Sequence, residues 1–170
     1  GDDCSVCYQA VVRGYVNSIR IGNIVNIQDV TVIHGTFEKS ATIIGNDVSI
    51  GHNAIVHGCS INDRVLVGMG CIIMDDSVVG SNSIIAAGSV LPKNTVVPDG
   101  SVFAGIPAKK IKEVGPELQK GEIISEEQFI EYQDEHGEDS FSAAIGAEAI
   151  EQMLLSLSLI HISEPTRPID

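Results

Sequence analysis

Eight apolar residues spaced by six without a break constrain this chain more than any other feature: Ile61, Val67, Ile73, Val79, Ile85, Leu91, Val97 and Phe103. Four residues on from each of the first seven comes a mostly small side chain, namely Val65, Cys71, Ser77, Ser83, Ser89, Thr95 and Ser101. Gly68, Gly80, Ala86, Pro92 and Pro98 directly follow an aliphatic member of the series. The same beat runs upstream through Ile21, Ile27 and Ile33, and through Ile44, Ile50 and Val56. A helix would require a 3.6-residue period, and so many β-branched residues resist one. An ordinary sandwich would reach this spacing only by coincidence. A prism satisfies it: each hexad is a short strand and a corner, three hexads close one coil, and coils stack about 4.8 Å apart. The spacing therefore predicts an all-β parallel β-helix with the aliphatic residues inside. The beat breaks twice. Eleven residues separate Ile33 from Ile44, which predicts a loop over Gly35–Ala41, and one residue is missing between Val56 and Ile61, near His57-Gly58-Cys59.

Composition agrees with short strands and tight corners. Of the 170 residues 44% are hydrophobic, enough for a core, while aromatics make up only 4% with no Trp. Charge divides the chain in two. Residues 1–113 hold ten acidic and eight basic side chains, whereas 114–170 hold thirteen against two. The reading is a near-neutral body over 1–113 followed by an acidic tail over 114–170. A net charge of −13 gives no support to nucleic-acid binding, which wants a basic stripe, and no apolar run is long enough to span a membrane. Cys4, Cys7, Cys59 and Cys71 lack the second pair that would complete a zinc ribbon, so plain thiols in a reducing, cytoplasmic setting are expected. Residues 125–135 look helical, with Ser125 as N-cap, giving a short helical tail.

The body contains three histidines, all beside the broken beats. With the loop inside one hexad, Ile33 and Val56 lie one full coil apart. His34 and His57 each follow one of these residues, so they stack on one corner. Two imidazoles one coil apart can share an ion at the roughly 2.0–2.1 Å that zinc requires. His52 lies on the next corner round and cannot join them within the chain. It can complete a neighbouring subunit's site, which predicts a trimer with metals at its interfaces. The alternative, three solvated surface histidines, has to explain why two fall in register.

The run VVRGYVNSIRIGNIVNIQDVTVIH (11–34), the segment IGHNAIVHGC (50–59), LVGMG (66–70) and AGIPAKKI (104–111) together resemble the γ-class carbonic anhydrase family. The resemblance covers residues 1 to about 113. It implies a homotrimer of left-handed β-helices that hydrates CO₂ reversibly to bicarbonate, with Zn²⁺ (or Fe²⁺ or Co²⁺) between subunits. His34 and His57 would come from one chain and His52 from its neighbour. It further implies that Gln28 lies beside the reacting oxygen with Asn26 close by, and that Arg13 and Asp29 brace the trimer. An amide suits that task, because it can hydrogen-bond and orient a nucleophile without adding charge. Family members carry roughly two more coils ahead of the position of Gly1, so an open first coil is expected.

Four positions depart from the family pattern. Tyr15 stands where Arg-Gly-Asp has its carboxylate, and Val30 where Gln-Asp-Gly has its glycine. Cys7 replaces an aromatic residue, and Val16 replaces a glutamate of the active site. The last change removes the obvious proton shuttle and leaves Glu38, in the loop after His34, as the substitute. In the tail, residues 120–154 resemble a segment of bacterial RNA polymerase β′, and 157–167 read like a translated sequencing adapter, which together suggest a chimeric reading frame. Two other functions stay open at this stage. One is a hexapeptide-repeat acyltransferase with an acyl-CoA donor and a histidine base; the other is a non-catalytic trimeric scaffold.

Overall fold

The computed structural model describes residues 1–115, and the expected helix over 125–135, with nearly all of the acidic tail, lies outside them. Within 1–115 the chain is an all-β left-handed parallel β-helix. The first coil comprises β1 (Ser5–Val6), β2 (Val11–Val12) and β3 (Ile19–Ile21). The second comprises β4 (Val25–Ile27), β5 (Val32–His34) and β6 (Thr42–Ile44). The third comprises β7 (Val48–Ile50), β8 (Ile55–His57) and β9 (Ser60–Ile61). The fourth has β10 (Val65–Val67), β11 (Ile72–Ile73) and β12 (Val78–Val79), and the fifth β13 (Ile84–Ile85), β14 (Val90–Leu91) and β15 (Val96–Val97). A sixth begins with β16 (Ser101–Gly105), on which β17 (Ala108–Glu113) folds back antiparallel as a terminal hairpin.

Each face of the prism is one parallel sheet. The first holds β1, β4, β7, β10, β13 and β16, the second β2, β5, β8, β11 and β14, and the third β3, β6, β9, β12 and β15. Register keeps the hexad residues stacked: Ile27 on Ile50 on Val67 on Ile85 on Phe103 along the first face. Ile33, Val56, Ile73 and Leu91 stack along the second. All of these except Phe103, at 7%, have no solvent exposure. Alternation of side chains along each strand turns the intervening residues outward. The first coil is open: its hexad residues Val6 and Val12 are 57% and 43% exposed.

The corners explain the small residues. Ser77, Ser83, Ser89 and Ser101 are buried, and a corner hydroxyl donates to a carbonyl one coil on, as Ser77 Oγ does to Pro92 O at 2.9 Å and Ser83 Oγ to Pro98 O at 3.1 Å. A larger side chain would collide there, and an apolar one would forfeit that hydrogen bond. Most corners also need one residue in the left-handed region. Gly70, Gly88 and Gly100 meet this without strain, and Asp47, Asn53, Asp76, Asn82 and Asn94 tolerate it. Ile24 (φ 55°) and Val30 (φ 63°) do not. The missing residue after Val56 is absorbed at Gly58, which turns the corner at φ 55° and lets Cys59 tuck into the core.

Candidate metal centre

The second face carries the candidate residues at both edges. At its far edge β5 ends in His34 and β8 in His57, and the ladder pairs them directly. Their ring centroids are 5.1 Å apart, with His34 Nδ1 3.1 Å from His57 Nε2. The expected loop lies between β5 and β6 and is pinned over this corner. Thr36 pairs with Ser40 in an isolated bridge, and Asn17 Nδ2 donates to Thr36 O at 3.0 Å. Thr36 Oγ1 donates to Asp75 Oδ1 and Ser40 Oγ to Asp76 Oδ1, each at 2.7 Å. Beneath the histidines, Thr42 Oγ1 donates to His34 O and accepts from Gly58 N.

At the near edge, His52 sits on the corner before β8, with Nδ1 3.1 Å from Asp29 Oδ2. Gln28 and Asn26 belong to the same side, Gln28 buried at the corner after β4 and Asn26 on β4 itself. Asn26 Nδ2 donates to Ser5 Oγ at 2.8 Å, while its Oδ1 is buried without a partner. The structure thus brings His34 and His57 together and groups His52, Gln28 and Asn26 one face-width away. Glu38 is exposed at the tip of the loop, on the His34 side. Asp29 faces His52 of its own chain, and Arg13 lies 5.3 Å over the ring of Tyr15, itself 6.2 Å from His34. Among the described residues no three His, Cys, Asp or Glu side chains of one chain are clustered as a metal site.

The hydrogen bonds set the tautomers. A carboxylate can only accept, so His57 Nδ1 carries the proton donated to Asp75 Oδ1 at 3.0 Å. With His57 neutral, its Nε2 accepts from His34 Nδ1–H, which leaves a lone pair on His34 Nε2, an atom that is buried without a partner. Burial holds the His34 imidazole below its ordinary pKa, with the Arg13 and His57 charges acting the same way and Asp75 opposing them. Burial alone would raise the Asp75 pKa; hydrogen bonds from Thr36 and His57, with the charges of His57 and Lys93, outweigh it and lower the value. A His34 that resists protonation beside an ionised Asp75 is the state that metal binding favours. The donor set fits a divalent ion: His34 offers an orphaned nitrogen, and His57 and His52 each commit Nδ1 to a carboxylate, the usual arrangement around a ligating histidine. Asp75, Thr36 and Gly58 were not singled out by sequence reasoning. The signal was present, because Asp75 falls seventeen residues after Gly58, the length of that coil.

Comparison with known proteins fits this architecture. The model of the family described as bacterial transferase hexapeptide (six repeats) matches residues 58–93. Over 69 residues, 41% of this chain and 43% of the relative, the sequence is 58% identical to a protein of Methanocaldococcus jannaschii named "Probable carbonic anhydrase". Protein YrdA of Escherichia coli is 39% identical over 141 residues, covering 79% of this chain and 77% of YrdA. Among solved structures, a hexapeptide transferase family protein of Anaplasma phagocytophilum aligns with TM-score 0.66 and 34% identity, over 85% of this chain and 78% of that one. The chain belongs to the hexapeptide-repeat family and carries a segment of its γ-carbonic anhydrase-like class.

Proposed function

We propose that this chain assembles as a homotrimer that holds a divalent metal between subunits and hydrates CO₂ reversibly to bicarbonate. The observation that carries the reading is the placement of His34 and His57 in register along one edge of an apolar face whose other edge bears His52. Val11, Val32, Ile55, Ile72 and Val90 stack outward across that face in continuous register. Val11 and Ile55 are 45% and 37% exposed in the isolated chain. Three copies around a threefold axis would cover this strip and bring one subunit's His52 to the next subunit's histidine pair.

In that assembly His34 and His57 of one chain and His52 of its neighbour would hold the ion, Zn²⁺ or else Fe²⁺ or Co²⁺, for which imidazole nitrogens are suitable ligands. When bound, the metal would act as a Lewis acid that lowers the pKa of a water toward 7 and so makes a nucleophile available at neutral pH. Gln28 and Asn26 lie on the His52 side and would arrive with it, placing an amide where it can orient that nucleophile toward CO₂. Val32 and Ile55 would keep bulk water from the site. Val16 offers no group to carry the product proton outward, and Glu38, exposed at the loop tip, is the candidate to take its place.

A second reading is favoured by the transferase descriptions of the matching family and of the Anaplasma structure. In it, the His34–His57 pair acts as general base in acyl transfer from an acyl-CoA. One experiment separates the two. Stopped-flow CO₂ hydration is measured on the full chain loaded with Zn²⁺, Co²⁺ or Fe²⁺, and acetyl-CoA binding on the metal-stripped chain. The proposal expects hydration that disappears in His57→Ala, drops in Gln28→Leu and rises with added imidazole buffer, since Val16 carries no proton and Glu38 stands exposed at a loop tip. Acetyl-CoA binding without metal, together with hydration at the buffer rate, would transfer the assignment to the acyltransferase reading.

A further inference from the structure

We propose that Asp75, one coil beyond His57, is a positioning residue that fixes the His57 tautomer and so reserves Nε2 as the lone-pair nitrogen for the shared ion. The proposal rests on the metal reading above and adds the part of the chain that shapes the site from behind. Asp75 follows β11, outside the hexad core, in a turn whose neighbours Met74 and Asp76 are both exposed. Asp75 itself is drawn inward, with its side chain only 17% exposed and Oδ1 at 3.0 Å from His57 Nδ1.

Two local features hold the carboxylate in that pose. Thr36, from the loop that departs from the hexad beat, donates to the same oxygen at 2.7 Å. Gly58 clears its path. Residue 58 stacks directly over residue 75, as the Val56–Ile73 pairing requires, and a Cβ at Gly58 would fall on Asp75 Oδ1 well inside contact distance. Glycine at 58 thus serves two ends, the left-handed turn at φ 55° and the approach of a carboxylate from the next coil. The adjacent Asp76 goes elsewhere, to Ser40 Oγ at 2.7 Å and Lys93 Nζ at 3.6 Å. Of the two acidic residues, only Asp75 reaches an imidazole.

The chemistry follows from the inventory of donors and acceptors. A neutral imidazole has one N–H and one lone pair. With the proton held on Nδ1 by Asp75, the lone pair must be on Nε2, the nitrogen facing His34. Without the carboxylate the Nε2–H tautomer becomes accessible and the ring can rotate, so ion binding would have to reverse both. Loss of such an outer partner typically weakens metal binding roughly 10–100-fold.

A tether of the Thr36 loop is the competing role for Asp75, and the test separates the two. Long-range ¹H–¹⁵N imidazole spectra of the metal-free full chain report the His57 tautomer, and chelator competition gives Zn²⁺ affinity. The variants are Asp75→Ala, the isosteric Asp75→Asn, and Thr36→Val, which cuts the tether but leaves the carboxylate. The parent should show His57 protonated on Nδ1. In Asp75→Ala that proton should redistribute to Nε2 and Zn²⁺ affinity should fall roughly 10–100-fold, with a smaller loss in Asp75→Asn and the smallest in Thr36→Val. An unchanged tautomer with affinity within about twofold in Asp75→Ala, or a Thr36→Val loss equal to that of Asp75→Ala, would overturn the proposal. A parent chain that takes up no Zn²⁺ would overturn the shared-metal reading itself, and is recognised because binding is then missing before any substitution.

Discussion

Strain and protonation are legible at single residues. Val30 holds φ 63° with a β-branched side chain, a conformation that costs an L-residue roughly 1–2 kcal/mol. The γ-carbonic anhydrase pattern has glycine there. Val30→Gly should raise stability by about 1 kcal/mol, after allowing for the extra freedom glycine gains in the unfolded chain; an unchanged or lower melting temperature would contradict this. Cys59 makes a second point. Burial, its largest cause, pushes this thiol up to about 12 from 9.0, and likewise pushes Cys71 up to about 11. Between pH 9 and 12 the unfolded chain ionises Cys59 while the folded chain resists, so stability present below pH 9 is lost as pH rises through this window. In urea titrations the alkaline decline should be shallower for Cys59→Ala than for the parent, because lysine and tyrosine contributions cancel in the comparison. Equal slopes would show that Cys59 does not titrate in this way.

At the level of elements, most of the solenoid could be read from the sequence because a six-residue period admits few other solutions. The unbroken series from Ile61 to Phe103 forms consecutive inward positions, and both interruptions of the beat fall where the structure departs from regular hexads. The loop over 35–41 occupies one corner of the second coil, and the shortened corner at Gly58 leaves seventeen residues between Val56 and Ile73 where later coils use eighteen. The same arithmetic put His34 beside His57. Other features escaped because they depend on contacts between coils. Nothing in the immediate neighbourhood of Asp75 shows that it turns in toward an imidazole; that follows only once residue 75 is stacked beneath Gly58 and Thr36 is folded over it. Ile24 escaped for a related reason. Its left-handed backbone is imposed by the stack of corners through Asp3, Asp47 and Arg64, and not by any local turn signal.

For the whole molecule, the central claim is that a site absent from one chain is completed by another. The histidine pair and His52 stand at opposite edges of one apolar face, so a threefold arrangement predicts complementation between defective subunits. His52→Ala alone and His57→Ala alone should each give trimers that retain little Zn²⁺. Co-assembled in equal amounts, they rebuild an intact site wherever a His52→Ala subunit presents its pair to the His52 of a His57→Ala neighbour, which is about a quarter of all interfaces under random mixing. Native mass spectrometry with metal analysis on the co-assembled sample measures this directly. One Zn²⁺ in each mixed trimer, about a quarter of the parent content over the whole sample, is the predicted result. Mixed trimers as metal-poor as either single variant, beside a parent that loads fully, would contradict a site shared between subunits.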